Sequence, residues 1–325
     1  MIVIKSPFRV SFFGGGSDFP EWFFKEKGSV LTSTIDKFVY LLFNNKIKTN
    51  FNYEINYSIY EKENLSKRIK HPAFRKFINF YNLKNLNVTF MSDLPAFAGL
   101  ASSSALAVSL INYYYSYIKK QKINQKLLAD KSIFFEREVL KEKVGFQDQI
   151  AISYGGINEI SFSKNNYKCN SLKIDKNIIN KLNNNLILLD TGQKRFSSFV
   201  QKKLIKNFEK SKKLNSALHE MVEISLIGKK YLTDGNFNMF TELFKKYWEL
   251  KIKSNPYSTN EHINYIYDMA LDYGATCGKL LGAGSGGFFL FIVPQNKKKD
   301  FLKITKYFKC YDYNLTFEGS KYYEI

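Results

Sequence analysis

The stretch DLPAFAGLASSSALAV, residues 93–108, places three consecutive serines directly before an apolar helical pattern. Serine is a mediocre helix former, so Ser102–Ser104 indicate the start of a helix whose apolar face includes Leu106 and Leu110. One interpretation is a generous cap on a buried helix. The other is an anion site, because the unpaired amides of a helix start, small residues and hydroxyls suit a phosphate and a metal ion. This stretch leaves both interpretations open.

The whole chain has the length and composition of an ordinary globular protein. Its 325 residues predict two domains or one large one, and 45% of them are hydrophobic. No apolar run approaches the length of a membrane span, and the first segment, MIVIKSPFRV, is typical of a strand rather than a signal peptide. Cys169, Cys277 and Cys310 are odd in number and too widely spaced for a disulfide framework or a zinc cluster. We therefore expect a cytoplasmic protein that does not bind a membrane.

The formal net charge of +20 raises the question of nucleic-acid binding. The excess is mostly lysine, scattered among Asn, Ile and Tyr, as in KINQKLL and NKKKDFLK. Such spreading indicates a compositional bias rather than a stripe that follows a groove, so we expect no nucleic-acid partner. A basic surface still attracts anionic substrates, which favours sugar phosphates or nucleotides.

The pattern of apolar residues alternates between strands and helices along the chain. The predicted elements are strands within 1–60, a short helix at 71–81, a strand at 86–91, helices at 102–119 and 125–141, a loop at 144–149, a β-rich stretch to about 162, a strand at 185–192, a largely helical region at 196–273 and a strand–loop–strand unit at 279–294. The alternation indicates an α+β protein in layers, with a domain boundary between about 175 and 190.

A second glycine-rich motif, GAGSGG at residues 282–287, formally matches the dinucleotide-binding fingerprint. That fingerprint needs a following helix, whereas FFLFIV is typical of a strand, so we expect a tight hairpin instead. No Walker A sequence occurs in the chain. The histidines, His71, His219 and His262, lie outside glycine-rich turns and lack metal-ligand spacing, which argues against a Ser–His–Asp hydrolase and a histidine metal site.

A third group of residues combines a glycine-rich loop with acids. FGGGSD at 13–18 follows a predicted strand that carries Arg9, and it ends in Asp18. Glu136 lies on a predicted helix and Asp148 in the predicted loop after it. The structural alternatives are a surface carboxylate for Glu136 and a turn cap for Asp148. Together they also suit phosphoryl transfer, which needs a divalent ion near the phosphates and a base near the attacking hydroxyl.

These segments, in this order, resemble the three motifs of the GHMP kinases, the superfamily of galactokinase, homoserine kinase, mevalonate kinase and phosphomevalonate kinase. SPFRVSFFGGGSD (6–18) is similar to the first motif, PAFAGLASSSA (95–105) to the second and KLLGAGSGGFF (279–289) to the third. GFQDQ, DTGQKRFSS and YWELKIKS resemble the D-glycero-D-manno-heptose 7-phosphate kinase branch in particular. The resemblance covers nearly the whole chain. It implies an α+β, two-domain GHMP kinase fold, with a mixed α/β domain at 1–182, a ferredoxin-like α+β domain at 183–325 and the active site between them.

The resemblance also implies an activity. We expect an ATP- and Mg²⁺-dependent kinase that phosphorylates the anomeric hydroxyl of D-glycero-α-D-manno-heptose 7-phosphate to the 1,7-bisphosphate, for nucleotide-activated heptose synthesis. Two alternatives stay open: an anomeric kinase for an unphosphorylated sugar of the galactose or fucose class, and a non-catalytic sugar- or nucleotide-binding relative. The implied partners are ATP and a sugar phosphate, and the resemblance allows a homodimer.

Individual roles follow from the same resemblance. Asp148 matches the aspartate that orients or deprotonates the sugar hydroxyl, and Arg9 matches an arginine that keeps it ionised. Ser103 and Glu136 match the metal ligands, with Ser102 and Ser104 not separable from Ser103. The implied nucleotide-binding residues are Pro95, Gly99, Leu100, Ala101, Ser102, Ser103 and Ser104. The implied substrate-binding residues are Gly15, Gly16, Ser17, Asp18, Asp148, Thr191, Gly192, Lys194, Arg195, Gly284, Ser285 and Gly286. Among these, Lys194 and Arg195 are the expected contacts of a phosphate already on the sugar.

Two positions depart from the pattern of the family. Ala101 replaces the usual second glycine of the phosphate loop, and Ser285 replaces a glycine in the third motif. If Ala101 needs a positive φ, its methyl group adds strain of about 1 kcal/mol or more. Both replacements are small, so we expect them to be tolerated.

Overall fold

Two β-sheets, each covered by helices, make up the protein. The computed structural model describes residues 1–44, 50–95, 99–164, 166–193, 205–208, 211–255, 258–282 and 284–325. The strands are β1 (Ile2–Phe13), β2 (Gly28–Phe43), β3 (Tyr53–Asn56), β4 (Tyr60–Glu63), β5 (Leu86–Ser92), β6 (Ile157–Ser163), β7 (Asn166–Ser171), β8 (Leu186–Asp190), β9 (Cys277–Leu280), β10 (Phe288–Ile292), β11 (Cys310–Tyr311), β12 (Leu315–Thr316) and β13 (Lys321–Glu324). The helices are α1 (Pro20–Phe23), α2 (Pro72–Tyr81), α3 (Ser102–Tyr113), α4 (Gln125–Phe134), α5 (Gln147–Tyr154), α6 (Lys176–Asn185), α7 (Lys212–Thr233), α8 (Phe237–Ser254), α9 (Glu261–Asp272) and α10 (Lys298–Phe301).

The first sheet is organised around β2. In the described part of the chain it has nine strands, with the order β13–β1–β2–β5–β3–β4, while β6 and β12 also pair with β2 and β7 pairs with β6. β2 can pair with so many neighbours because it is 16 residues long: its first part lies beside β6 and its last part beside β5. Neighbours are antiparallel except for the parallel pair β3 and β5. Consecutive strands pair in β1–β2, β3–β4 and β6–β7, whereas the other pairs join distant parts of the chain.

Three helices, α3, α4 and α5, pack against one another, and α3 and α5 cover β1 and β2. Both α3 and α4 end in a π-helical turn, at Tyr114–Ile118 and Phe135–Val139. π-Turns of this kind often occur at functional sites because they turn a side chain out of the regular helical register. The second turn carries Glu136. Within the described ranges, no helix is both long and apolar enough to cross a bilayer.

The second sheet has the order β11–β8–β10–β9 and is antiparallel throughout. Its chain order places three long helices, α7, α8 and α9, between β8 and β9. The glycine-rich motif at 282–287 joins β9 to β10, so the prediction of a hairpin rather than a dinucleotide-binding turn is confirmed. The α+β fold class with two sheets of this kind is confirmed as well.

An aromatic cluster joins the two sheets. Phe13, at the end of β1, packs its ring against Phe240, Phe244 and Tyr247 of α8, with centroid distances of 5.2, 5.6 and 5.4 Å. Buried aromatic rings supply large apolar areas, so this junction holds the first sheet firmly against α8. The end of the chain then returns to the first sheet, where β12 pairs with β2 and β13 pairs with β1. Along the chain, β1–β7 belong to the first sheet, β8–β11 to the second, and β12 and β13 to the first again. The two-domain division at 182/183 stays a prediction.

The region around Asp148 differs from its prediction. We expected a loop at 144–149 followed by β-rich sequence, but residues 147–154 form α5. This helix has no local side-chain cap; instead the carboxylate of Asp18, from the first glycine-rich loop, accepts the backbone N–H of Gln147 at 3.2 Å. Five consecutive residues, 149–153, are buried, so the helix shows no amphipathic pattern. Both its cap and its burial come from distant parts of the chain.

Candidate active site

The second glycine-rich loop ends at the start of α3. Ala101 occupies the N-cap position with φ 68° and ψ 37°, the left-handed region, and its side chain makes no cap bond. The serines follow as first-turn residues rather than as the cap that the sequence suggested. The amides of Ser102–Ser104 have no partner inside the helix, because the first helical bond runs from Ala105 N to Ala101 O at 2.9 Å. Ser102, Ser103 and Ser104 line a cleft, and unpaired amides at a helix start suit an anion.

Replacing Ala101 with glycine is expected to leave the free energy of unfolding unchanged or to raise it by up to about 1 kcal/mol. A left-handed backbone costs an L-residue about 1–2 kcal/mol, and glycine gives back about 0.5–1 kcal/mol in chain entropy. Ala105→Gly in the regular part of α3 is the matched control and should lower the free energy of unfolding by about 1 kcal/mol. Urea unfolding measures both, and equal losses in the two variants would contradict the assigned strain.

Arg9 and Asp148 form a two-pronged ion pair at the centre of the site. Arg9 Nε donates to Asp148 Oδ1 at 2.7 Å and Arg9 Nη2 donates to Asp148 Oδ2 at 2.8 Å. The third guanidinium nitrogen, Nη1, donates to the carbonyl of Gly99 at 3.0 Å, which ties the pair to the phosphate loop. Arg9 is buried and Asp148 is partly open to the cleft. The pair therefore fixes an aspartate beside the start of α3 with one side accessible to a ligand.

Asp18 lies beside this pair and is almost fully buried. Its carboxylate accepts the backbone N–H groups of Gly16 at 3.0 Å and Gln147 at 3.2 Å. Burial and the nearby charge of Asp148 raise the pKa of Asp18 to about 6, against these two hydrogen bonds. Gly145 leaves room for the Asp18 carboxylate, since a Cβ at residue 145 would lie 1.9 Å from Asp18 Oδ2. Asp18 thus joins the first glycine-rich loop to the helix that carries Asp148.

The raised pKa of Asp18 predicts a pH-dependent stability. Because the folded state holds this proton more tightly than the unfolded state, the stability that it contributes is fully present below about pH 4 and is lost as the pH rises through about 6. We expect the free energy of unfolding of the wild type, relative to Asp18→Asn, to fall by about 2–3 kcal/mol between pH 4 and pH 7. Urea unfolding of both proteins across this range measures it. A difference that stays constant or rises with pH would show that burial does not control this carboxyl.

Glu136 and Gln149 form a buried polar pair next to Ser104. Gln149 Nε2 donates to Glu136 Oε2 and lies 3.4 Å from Ser104 Oγ. Glu136 Oε1 and Gln149 Oε1 are buried and have no hydrogen-bond partner within the described residues. Burial first, and then the charge of Glu142, raise the pKa of Glu136 to about 8. Unpartnered buried oxygens beside a serine are a donor set that fits Mg²⁺, a cation that prefers oxygen ligands.

A preformed metal cage is absent from the described residues, where no three His, Cys, Asp or Glu side chains converge on one point. Mg²⁺ is commonly held by one or two carboxylates together with the phosphates of a substrate, so a cage is not required. Arg9, Asp18, Asp148 and Ser102–Ser104 border one cavity of about 840 Å³, which is large enough for a nucleotide and a sugar. One part of its wall is aromatic, with Tyr57, His71 and Phe90, and another is basic, with Lys251 and Lys279.

The comparisons with known proteins agree with this geometry. Residues 64–156 match the GHMP kinases N terminal domain, and this segment includes the phosphate loop, Glu136 and Asp148. The chain contains a GHMP kinase N-terminal domain. It is 28% identical to the D-glycero-alpha-D-manno-heptose 7-phosphate kinase of Campylobacter jejuni subsp. jejuni serotype O:2, over 99% of this chain and 98% of the relative.

Solved structures show the same GHMP kinase fold. A D-glycero-D-manno-heptose 1-phosphate kinase from Bacteriodes thetaiotaomicron superimposes with a TM-score of 0.79, at 22% identity, over 100% of this chain and 99% of the other. The Lactococcus lactis galactokinase complexed with galactose superimposes with a TM-score of 0.70, at 14% identity, over 98% and 95% of the two chains. The GHMP kinase fold therefore extends over both sheets, beyond the segment that matches the N-terminal domain.

About half of the residues that the family motifs suggested, ten of twenty-one, border the cavity. Arg9, Asp148 and Asp18 meet there with the first and second glycine-rich loops. The predicted residues that line it are Arg9, Gly15, Gly16, Asp18, Gly99, Ala101, Ser102, Ser103, Ser104 and Asp148. Glu136 lies just behind the wall, fully buried. Ser104 is the serine whose hydroxyl reaches the Glu136–Gln149 pair, whereas Ser103 is exposed in the cleft.

Other suggested residues support the site without lining it. The buried hydroxyl of Ser17 is bonded to the carbonyls of Gly14 and Ser29 at 2.8 and 3.1 Å, so it holds the loop together. The remaining predicted residues outside the cavity wall are Pro95, Leu100, Thr191, Gly192, Gly284, Ser285 and Gly286. Thr191 bonds to the backbone of Gly287, so the turn after β8 packs against the third motif. Lys194 and Arg195 lie outside the described residues.

The sequence analysis missed the basic part of this cleft. Lys279 and Lys251 both line the cavity, and Tyr247 lies between them and the first glycine-rich loop. A signal for Lys279 is present in the sequence, since it is a lysine placed in the otherwise apolar strand β9, where a charge needs a partner or a function. Lys251 gives no comparable signal, because a lysine on a helix is ordinarily exposed.

Proposed function

We propose that this GHMP kinase transfers the γ-phosphoryl group of ATP to the anomeric hydroxyl of D-glycero-α-D-manno-heptose 7-phosphate, giving the 1,7-bisphosphate. The observation that supports it best is the Arg9–Asp148 ion pair, which is bonded to the phosphate loop through Gly99 and opens to the cavity. The substrate class is taken from the Campylobacter jejuni relative, which matches almost the whole chain.

In this proposal Asp148 positions the attacking hydroxyl and takes its proton. Each carboxylate oxygen accepts one N–H of Arg9 and keeps a lone pair for the sugar. The anomeric oxygen forms a bond to the γ-phosphorus, the bond from that phosphorus to the β,γ-bridging oxygen breaks, and ADP leaves. The hydroxyl proton passes to Asp148 and then to solvent. Arg9 offsets the charge that develops near the transferred group.

The start of α3 would hold the phosphates of ATP. Ser102–Ser104 line the cleft, so their unpaired amides would donate hydrogen bonds to the phosphates. The helix dipole adds about 0.3–2 kcal/mol at most, so these directed bonds would supply much of the affinity. Glu136 and one serine hydroxyl, either Ser103 or Ser104, would hold Mg²⁺. When bound, Mg²⁺ neutralises the phosphate oxygens and lowers the cost of charge at the transferred group. Ser104 is favoured by its position beside Glu136.

The first glycine-rich loop would hold the sugar. Gly15 and Gly16 expose backbone to the cleft without side chains in the way, and the carboxylate of Asp18 lies just behind them. We also place the reaction in the cytoplasm, where ATP is available. The three cysteines fit a reducing setting, since none of them forms a disulfide.

Turnover of ATP with Mg²⁺ against a panel of sugars tests the proposal. The panel contains heptose 7-phosphate, heptose 1-phosphate, sedoheptulose 7-phosphate, unphosphorylated heptose, galactose, fucose and mannose, and phosphorus NMR locates the new phosphate. We expect preferred turnover of heptose 7-phosphate with an anomeric product. Preferred turnover of a neutral sugar would keep the kinase and overturn the heptose assignment. ATP binding without turnover of any sugar would favour a non-catalytic relative.

A further inference from the structure

Lys279 is a buried cation in the wall of the cavity. Its Nζ donates to the carbonyls of Ser11 at 2.9 Å and Phe12 at 2.6 Å and lies 4.2 Å from the centre of the Tyr247 ring. Within the described residues no carboxylate forms an ion pair with it. Burial, and the charges of Lys251 and Arg9, hold its pKa well below the ordinary lysine value. Three cations therefore approach one another here, where Asp148 is bonded to Arg9 and Asp18 lies beside that pair.

Lys251 lies beside the start of the third glycine-rich motif, on the same side of the cavity as Lys279. Its Nζ donates to the carbonyls of Leu280 at 3.0 Å and Gly282 at 2.8 Å, the residues that follow Lys279 along the chain. Two ammonium groups on adjacent positions of one wall repel each other in a medium of low dielectric constant. An anion between them would turn this repulsion into attraction.

Ser258 adds an unused hydrogen-bonding group to the same wall. The side chain is fully buried and lines the cavity, yet its Oγ has no hydrogen-bond partner within the described residues. The backbone of Ser258 also contacts the third motif, because Ser285 N donates a hydrogen bond to Ser258 O at 3.3 Å. A buried hydroxyl without a partner costs about 1–3 kcal/mol, so a ligand that accepts its hydrogen bond would recover that cost.

The backbone spacing along β1 between Arg9 and the carbonyls that hold Lys279 suits the length of one sugar. β1 runs from Arg9, at the proposed reaction centre, to Ser11 and Phe12, whose carbonyls hold Lys279. At about 3.3 Å per residue this separation is roughly 7–10 Å. A sugar ring with a two-carbon arm spans such a gap, with its anomeric hydroxyl at Asp148 and its far end at the lysines.

We propose that Lys251, Lys279 and Ser258 bind the phosphate that the sugar substrate already carries, a phosphomonoester dianion. This inference rests on the proposed function and assigns the part of the cleft that selects a phosphorylated sugar. The two lysines supply charge, and the serine supplies a directed hydrogen bond. Their carbonyl contacts position both ammonium groups before the ligand arrives, which reduces the entropy lost on binding. Lys194 and Arg195 stay a prediction for the same phosphate.

Ser258→Ala is the first test, since it removes one oxygen that bonds to nothing in the described protein. We expect the ratio of kcat/KM for heptose 7-phosphate to that for unphosphorylated heptose to fall about tenfold, the usual value of a hydrogen bond to a charged group. The melting temperature should not fall. Ser225→Ala is the control, because Ser225 is also buried but bonds to Ser29 and Val222 away from the cavity. A Ser258 variant with an unchanged ratio would overturn its role.

Lys251→Met removes the charge and keeps the aliphatic stem. We expect the same ratio to fall about a hundredfold and Lys251→Arg to restore part of it, because arginine keeps the charge. Equal losses on both sugars would mean that Lys251 only supports the third motif, and would overturn the proposal. A wild type that prefers unphosphorylated heptose would overturn it as well, while leaving the kinase activity intact.

Direct binding separates this inference from the proposed function. Calorimetric titration of inorganic phosphate into the protein saturated with a non-hydrolysable ATP analogue requires no turnover. Binding to the wild type that is lost in Lys251→Met would support the anion site even if none of the sugars were phosphorylated. Absence of binding to the wild type, or equal binding to both proteins, would overturn the site.

Discussion

Asp148→Asn is expected to lower kcat by about 10³-fold, within the range of 10²–10⁴ that a positioned general base contributes. The asparagine cannot take the proton of the sugar hydroxyl. It also turns an amide N–H₂ toward Arg9, whose Nε and Nη2 now donate to the two carboxylate oxygens. Affinity for ATP should change little, because the start of α3 holds the phosphates independently. Single-turnover kinetics and nucleotide titration measure the two effects separately.

Asp234→Asn is the matched control for this substitution. Asp234 is exposed at the end of α7 and outside the cavity wall, so the same chemical change should leave turnover near the wild-type value. Stability must be compared as well, since the variant leaves the buried charge of Arg9 with a weaker partner. A folded Asp148→Asn protein with full activity would remove Asp148 from the mechanism. An equal loss of nucleotide affinity would assign the residue to ATP binding instead.

The family resemblance singled out Arg9 and Asp148 and implied that the arginine keeps the aspartate ionised; their catalytic roles stay predictions, and the geometry of their contact comes from the fold. Arg9 and Asp148 each stand in a motif with a recognisable chemical composition, yet 139 positions separate them and their hydrogen bonds depend on how α5 packs against β1. The sequence analysis left open whether Ala101 needs a positive φ, and the structure gives it φ 68°. Local chemistry was therefore predictable wherever it depends on neighbouring residues.

The features that sequence reasoning missed depend on burial. The helix α5 is capped by Asp18 and is buried over residues 149–153, so neither a local cap nor an amphipathic period indicates it. Ser258 stands in the polar stretch NPYST, where nothing shows that its side chain is fully buried. The raised pKa of Asp18 likewise arises from the low-dielectric surroundings that the folded chain creates. Such properties require the tertiary structure.

Glu136→Gln is expected to raise the Mg²⁺ concentration for half-maximal turnover by about a hundredfold or more, because loss of a residue that only orients a ligand already costs 10–100-fold. The glutamine keeps the shape of the side chain but removes the charge that a cation needs. Burial raises the pKa of Glu136 to about 8, so its carboxyl group is largely protonated near pH 7 when no cation is bound. The fold should therefore tolerate a neutral glutamine in its place. Activity and Mn²⁺ relaxation, each followed as a function of metal concentration, measure the effect.

Glu138→Gln provides the control on the same π-helical turn. Glu138 is exposed and its carboxylate lies 3.4 Å from Lys141 Nζ, a surface pair worth little. Its metal dependence should equal that of the wild type. If both variants kept the wild-type dependence, the buried oxygens of Glu136 and Gln149 would have a purely structural role, and Mg²⁺ would be held by the nucleotide and the serines. If Glu136→Gln alone loses Mn²⁺ binding while its melting temperature holds, the unpartnered Oε1 is a metal ligand.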